Sequence, residues 1–341
     1  MAVSAAQAES RTSPRTTQKE GPARRRARHR GLFTIPPTPF SAEGALDVDS
    51  LRRVISFCVE TGAQGIVSPV NVSEFTTLTR DERQVVFETI AREIDRTGSA
   101  VPFVAGVGAL TTQEAVAYAH LAQDAGADAV IAMPAFGAEL DDEGCFDFYA
   151  ALGRATPLPI YIQNHEPVGM GPGPRPGRAL SAALMARIIH EVPTVRYVKE
   201  ESVGTGEKMT RTLELAGDEC WGVMGGKAGR FLLDEYRRGA CGTMPACEVN
   251  DVHAQLWQTL DGGCEVGARL LLREMLPLLD FEESYGPVVI KEVLYRRGLI
   301  SSPFRRAAGP TLDRYDHAEL DDLLAAVAPY FKVKTPIARP G

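Results

Sequence analysis

None of the 341 residues falls in an apolar run long enough to span a membrane, and the first thirty lack the apolar centre of a secretory signal. A cytoplasmic protein without membrane contact is expected. The six cysteines (Cys58, Cys145, Cys220, Cys241, Cys247 and Cys264) are scattered and contain no Cys-x-x-Cys pair. That spacing fits reduced thiols rather than disulfides or a structural zinc site. The six histidines are equally dispersed, with no His-x-His and no His-Glu-x-x-His, so no metal site is expected and a metal-dependent aldolase is disfavoured. No fixed-length repeat recurs, which argues against a solenoid.

Charge is short of one sign outside a single segment. Residues 1–30 hold eight Lys or Arg against two Glu, a local +6. With −7 overall, everything after residue 30 carries −13. An acidic body of this kind is not expected to take nucleic acid as its main ligand. The Ala-, Ser-, Thr- and Arg-rich segment 1–30 shows no periodicity and reads as a disordered basic tail.

What is present is alternation. From Gly31 short apolar runs at 31–36, 64–69, 101–106, 128–133, 158–163, 195–201, 221–225 and 241–245 read as strands. Amphipathic stretches near 49–61, 79–96, 111–125, 143–154, 181–191, 205–216, 229–238 and 249–260 read as helices. Thr79 stands three before Glu82 and Thr111 three before Glu114, the spacing of a capping box. Eight β-then-α units close into a parallel (β/α)8 (TIM) barrel, expected over 31–263. Helical patterns near 265–279, 286–297 and 316–328 make residues 264–341 a C-terminal helical appendage and tail. Residues 167–177, rich in Gly and Pro, cannot hold regular structure. In a barrel they lie on the active-site face, as a lid or as a passive linker.

The chemistry concentrates in Val195-Arg-Tyr-Val-Lys-Glu-Glu-Ser202. Side chains two apart on a strand share a face, so Lys199 and Glu201 point the same way. A lysine within a β-rich run is costly to bury unless it is neutral or paired. A neutral amine attacks carbonyls, and Glu201, its pKa raised by partial burial, would supply a carboxyl for proton transfer. The alternative is a solvated lysine at a strand end paired with a neighbouring Glu.

With Lys199 on the sixth strand, the chain resembles the dihydrodipicolinate synthase/N-acetylneuraminate lyase family over residues 31–330. The resemblance lies in Gly31-Leu-Phe-Thr-Ile-Pro-Pro-Thr-Pro-Phe40, Asn71-Val-Ser-Glu-Phe-Thr-Thr-Leu-Thr-Arg-Asp-Glu82, Ala125-Gly-Ala-Asp-Ala-Val-Ile-Ala-Met-Pro134 and Val198-Lys199-Glu200. It implies a Schiff-base lysine at Lys199 acting on pyruvate or a related 2-oxo acid. It also implies no metal or organic cofactor, and a homotetramer or homodimer. Several places depart from the family. Asn71 and Val72 stand where a Thr-Thr pair is usual, with Ser73 for a glycine. Phe136 replaces a tyrosine, and Gln163 stands at the fifth-strand tyrosine position with Tyr161 two residues earlier. No arginine matches the aldehyde-holding one near Val168. Dihydrodipicolinate synthesis is therefore not expected.

The L-2-keto-3-deoxyarabonate dehydratase-like branch is similar in Asn71-x-Ser73-Glu74, Ile162-Gln163 and Glu201. It is similar too in Gly225-Gly226, Leu232-Leu233 and Arg238-Gly-Ala240. The resemblance implies catalytic roles for Lys199, Glu201 and Ser73, with Ser73 holding the substrate carboxylate; the alternatives are a turn or cap serine at 73 and a Glu201 that only holds Lys199 in place. Asn71, Val72, Gln163, Tyr161, Phe136, Gly225 and Lys227 would line the substrate site. Tyr161 is a reserve hydroxyl or a packing residue, and Lys227 and Arg230 could meet a distal carboxylate. His165 heads the Gly/Pro loop, as a structural residue or, alternatively, a catalytic one, and Glu74 braces its own. Dehydration of a 2-keto-3-deoxy sugar acid is expected. A pyruvate-dependent aldolase and a 2-oxo-acid-binding regulatory protein are the alternatives.

Overall fold

The computed structural model describes residues 29–167 and 175–333. The expected tail up to residue 28 and the centre of the 167–177 loop lie outside the described residues. Eight parallel strands close in sequence order: β1 (Gly31–Thr34), β2 (Gly65–Ser68), β3 (Phe103–Gly106), β4 (Ala129–Ala132), β5 (Ile160–Asn164), β6 (Val195–Glu200), β7 (Gly222–Gly225) and β8 (Gly242–Thr243). Each is followed by a helix, α1 (Val48–Glu60), α2 (Arg80–Arg96), α3 (Thr112–Asp124), α4 (Asp142–Ala155), α5 (Ala182–Glu191), α6 (Thr205–Ala216), α7 (Leu232–Arg237) and α8 (Asn250–Asp261). Then come α9 (Glu265–Tyr285), α10 (Pro287–Arg296) and α11 (Arg314–Val327). The architecture is the (β/α)8 barrel with C-terminal helices. No helix among the described residues is long and apolar enough to cross a membrane.

Strand alternation sorts the core into two layers. Phe33, Val67, Val104, Ile131, Tyr161, Tyr197, Met224 and Met244 pack together inside the barrel. Ile66, Ala105, Val130, Ile162, Val198 and Val223 face outward into the larger cluster under the helices. The capping boxes at Thr79 and Thr111 are both formed. A further apolar cluster joins α8, α9 and α11 through Leu256, Trp257, Leu272, Leu279 and Leu324.

Two boundaries differ from the sequence reading by more than two residues. The helix after β7 starts at Leu232 rather than 229, because Lys227 and Ala228 take left-handed backbone (φ 50° and 56°) in a tight turn. The long helix α9 runs on to Tyr285 through Pro277. Its buried series Leu271, Met275, Leu278, Leu279 and Glu282 outweighs the broken hydrogen bond at the proline.

His29, expected in the tail, instead closes the N-terminal end of the barrel. Its backbone N–H donates to the Tyr197 hydroxyl at 2.9 Å, and its Nδ1 lies 2.6 Å from the Tyr161 hydroxyl. The Tyr161 and Tyr197 rings stack at 4.4 Å with the imidazole against them. This plug leaves the other end, where the strands finish, as the open mouth.

Candidate active site

Lys199 is the penultimate residue of β6, in register with Gln163 on β5 and Met224 on β7. It is 3% exposed, and its Nζ lies 2.9 Å from Glu201 Oε2. Glu201 follows the strand end, held there by its N–H donating to the Asn164 carbonyl at 2.8 Å. Gln163 Nε2 donates to the same Oε2 at 3.2 Å, and the Lys227 N–H donates to Oε1 at 3.3 Å. The left-handed turn at Lys227 aims that N–H inward.

Gly226 completes the seat, since a Cβ there would stand 2.2 Å from Glu201 Cγ. Burial alone would raise the Glu201 pKa. The nearby Lys199 and His165 charges, with the two hydrogen bonds from Lys199 and Lys227, outweigh it and hold the carboxyl below its ordinary value. The expectation of a raised pKa is therefore corrected: the cations decide the sign, not the burial. A lysine so paired must give up a proton before it can attack a carbonyl, and Glu201 is the acceptor in contact with it.

Behind β6 a second network faces the helices. Glu200 accepts from Asn164 Nδ2 at 2.7 Å and from the Ser202 N–H at 2.8 Å. Lys208 Nζ donates to Ser202 Oγ at 2.5 Å. Asn164 Oδ1 accepts the Leu180 N–H at 2.7 Å, tying the returning end of the Gly/Pro loop to β5. Glu166 Oε1 accepts the Val203 N–H at 2.6 Å and ties the other end to the loop after β6. Burial raises the Glu200 pKa despite its hydrogen bonds to Ser202 and Asn164.

The remaining sequence-predicted residues divide. Asn71 lies in the turn after β2, and its Oδ1 is buried without a hydrogen-bond partner. An amide there can offer acceptor or donor to a ligand. Val72 is half-buried and packs between the inner and outer apolar clusters. Phe136 follows β4 and meets Phe75 edge-on at 5.9 Å. A void of about 10 Å³ touches Val70, Phe75, Ile131, Met133 and Gln163. His165 Nδ1 lies 2.7 Å from the Glu166 carbonyl. Glu74 braces its loop, ion-paired with Lys291 and accepting the Arg306 and Ala307 N–H groups at 2.9 and 2.7 Å.

Three expectations need correction, and Tyr161 takes the packing one of its two readings and not the substrate-lining one. Ser73 donates its hydroxyl proton to the Pro36 carbonyl at 2.7 Å and its N–H to the Val70 carbonyl at 2.8 Å. Neither donor is left for a carboxylate. Tyr161 points its hydroxyl at His29 at the closed end, one inward-facing position below Gln163, so it packs the barrel and does not line the mouth. Gly225 faces outward: a Cβ there would meet Glu235 Oε2 at 1.8 Å, so the glycine makes room for a helix side chain and not for substrate. Arg230 turns away to Asp280 and Glu283 on α9, at 3.2 and 3.0 Å.

Sequence reasoning missed Gly226 as the seat of Glu201, and it missed the buried carboxyl of Glu235. The Gly225-Gly226 doublet ending a strand was the available signal, since a strand glycine marks close approach. No group of three His, Cys, Asp or Glu side chains among the described residues is arranged to hold a metal ion. A cleft of about 810 Å³ lined by Arg52, Arg53, Arg92 and Arg96 lies outside, between α1 and α2, and has no part in this site.

The fold and the mouth define a class first: a (β/α)8-barrel enzyme with a buried lysine–carboxylate pair at the carboxyl ends of its strands. Comparison with known proteins narrows it. The dihydrodipicolinate synthetase family model matches residues 28–327. L-2-keto-3-deoxyarabonate dehydratase of Azospirillum brasilense is 31% identical over 297 residues, covering 86% of this chain and 93% of that protein. The 4-hydroxy-tetrahydrodipicolinate synthase of Methanothrix thermoacetophila is 29% identical over 308 residues, 88% of this chain and 97% of that protein. Among solved structures, a Pseudomonas aeruginosa protein provisionally assigned as a dihydrodipicolinate synthetase superposes with a TM-score of 0.78 at 30% identity. That match covers 87% of this chain and 99% of the other. The chain belongs to the dihydrodipicolinate synthetase family and is a lyase.

Proposed function

We propose that the protein is a Schiff-base-forming lyase that dehydrates a 2-keto-3-deoxy sugar acid. The observation that carries this reading is the 2.9 Å contact of the buried Lys199 Nζ with Glu201 Oε2 at the barrel mouth. Glu201 takes a proton from Lys199, and the amine attacks the C2 carbonyl. Glu201 returns that proton to the carbinolamine hydroxyl, and loss of water leaves a Lys199 iminium, which acidifies the C3 hydrogens, and a free Glu201 carboxylate. Glu201 removes one to give an enamine, whose electrons expel the C4 hydroxyl as water. Hydrolysis of the resulting unsaturated iminium frees the lysine.

The residues around the pair favour dehydration over the synthase reaction. Val72, Phe136 and Gln163 carry no hydroxyl where the family's relay hydroxyls are expected, and Tyr161 is turned to the closed end. Asn71, with an unspent amide atom, and Gln163 are the groups we assign to the substrate's oxygens. The 31% identity to an L-2-keto-3-deoxyarabonate dehydratase supports the same substrate class.

The test is borohydride trapping. The protein is incubated with pyruvate or L-2-keto-3-deoxyarabonate, reduced, digested and mapped by mass spectrometry. An adduct on Lys199, together with dehydration of the sugar acid by untreated enzyme, supports the proposal. Release of pyruvate and an aldehyde would make the protein an aldolase. An adduct without turnover would make it a 2-oxo-acid-binding protein. No adduct on Lys199 would sink the Schiff-base assignment.

A further inference from the structure

Elimination needs two proton movements, one from C3 and one to the departing C4 hydroxyl, and the contact between Lys199 and Glu201 accounts for the first. We propose that His165 Nε2 donates the proton to the leaving C4 hydroxyl; this rests on the dehydratase reading above.

The placement follows from the pleat. Inward-facing positions on β5 recur every second residue. Gln163 faces inward, level with Lys199, and hydrogen-bonds Glu201. Asn164 faces outward to Glu200. His165 is the next inward position, at the height of Glu201, whose N–H is bonded to the Asn164 carbonyl. It is half-buried, and its charge is felt by both Glu201 and Glu166.

One ring nitrogen is already committed. A carbonyl oxygen only accepts, so the 2.7 Å contact from Nδ1 to the Glu166 carbonyl requires a proton on Nδ1. The ring is thereby oriented with Nε2 as the exchangeable position. The Glu166 carbonyl is itself fixed in place, because the Glu166 carboxylate accepts the Val203 N–H beyond β6. The carboxylates that interact with the imidazole charge are Glu201, just after β6, and Glu166 beside it, and Lys227 from the turn after β7 acts on Glu166.

The step balances. Glu201 takes the C3 proton, the enamine electrons form the C3–C4 double bond, and the C4–O bond breaks as Nε2–H protonates its oxygen. The products are water, an unsaturated iminium on Lys199, a protonated Glu201 and a neutral imidazole still donating from Nδ1. Transfer of the proton from Glu201 to Nε2 restores both groups. Lys199 sits deepest and addresses C2, while Glu201 and His165 stand level with each other two residues higher, after β6 and after β5, and address C3 and C4.

Two variants separate this from a purely structural histidine. In His165→Asn the amide NH2 can replace the Nδ1 bond to the Glu166 carbonyl but offers no proton at the Nε2 position. His165→Gln places an amide near Nε2 without its acidity. Each is assayed for dehydration of L-2-keto-3-deoxyarabonate, for C3 hydrogen–deuterium exchange of pyruvate in D2O and for borohydride trapping on Lys199. Dehydration is expected to fall by about 10²- to 10⁴-fold in both, the usual range for loss of a general acid. Exchange and trapping need no C4 hydroxyl and also report that the barrel is folded; they feel the lost His165 charge beside Glu201 and are expected to fall by about tenfold at most, well short of the loss in dehydration. Retained dehydration in His165→Asn would overturn the proposal, and so would parallel loss of exchange and dehydration. If wild-type protein exchanges and traps pyruvate yet dehydrates no sugar acid, the dehydratase reading itself fails, and His165's role with it.

Discussion

Replacing Glu235 with Gln should remove the share of the barrel's alkaline destabilisation that this carboxyl causes. Glu235 is fully buried on α7, behind the outward face of Gly225, and neither carboxyl oxygen has a hydrogen-bond partner. Burial, then the nearby Glu201, Asp234 and Glu200 charges, push its pKa from 4.5 up to about 8. A carboxyl raised in the folded state stays protonated where the unfolded chain has already released its proton. Stability is therefore undiminished below about pH 4.5, falls as pH rises toward 8, and levels off above. Over about 3.5 pH units at about 1.4 kcal/mol each, the full loss is about 5 kcal/mol. Glutamine has the same shape and no charge at any pH.

Urea denaturation of wild type and Glu235→Gln at pH 5 and pH 8 gives the comparison. The variant's advantage at pH 8 over pH 5 should be about 4 kcal/mol. Glu248 and Glu282, also raised by burial, are present in both proteins and cancel. An advantage that changes by less than about 1 kcal/mol between the two pH values would refute the reasoning, by placing Glu235 in contact with water or a cation.

Two other substitutions test the scaffold. Gly226→Ala places a methyl group 2.2 Å from Glu201 Cγ, so the carboxyl must leave Lys199. Turnover should fall by about 100-fold or more for about 1–3 kcal/mol of stability, measured by kinetics alongside denaturation; unchanged kcat would dismiss Glu201's role. Lys291→Met leaves the buried Glu74 without its cation and should cost about 3–5 kcal/mol in urea melts, with Glu74→Gln added to it recovering most of the loss. Equal stability of Lys291→Met and wild type would show that Glu74 is neutral or hydrated.

Much of this was legible along the chain. Period-two and period-3.6 patterns identify strands and helices because each element buries one repeating face, so the eight β-then-α units and the barrel followed from local order. The pairing of Lys199 with Glu201 was legible for the same reason: residues two apart on a strand share a side.

Which way a glycine faces, which end of a strand a tyrosine serves and what a hydroxyl donates to were settled only by closure of the ring. Gly225 and Gly226 are neighbours in sequence, yet one clears space for Glu235 and the other for Glu201. Tyr161 is two residues from Gln163, but the His29 plug claims it for the opposite end. Ser73 looked like an anion-binding hydroxyl until Pro36, thirty-seven residues earlier, took its proton. The sign of the Glu201 pKa change likewise depended on Lys199 in β6, on His165 just after β5 and on the Lys227 N–H from the turn after β7, which together outweigh burial. Local sequence determined the elements and their order; the charges and hydrogen bonds at the mouth come from segments far apart in the chain, and only tertiary structure could decide them.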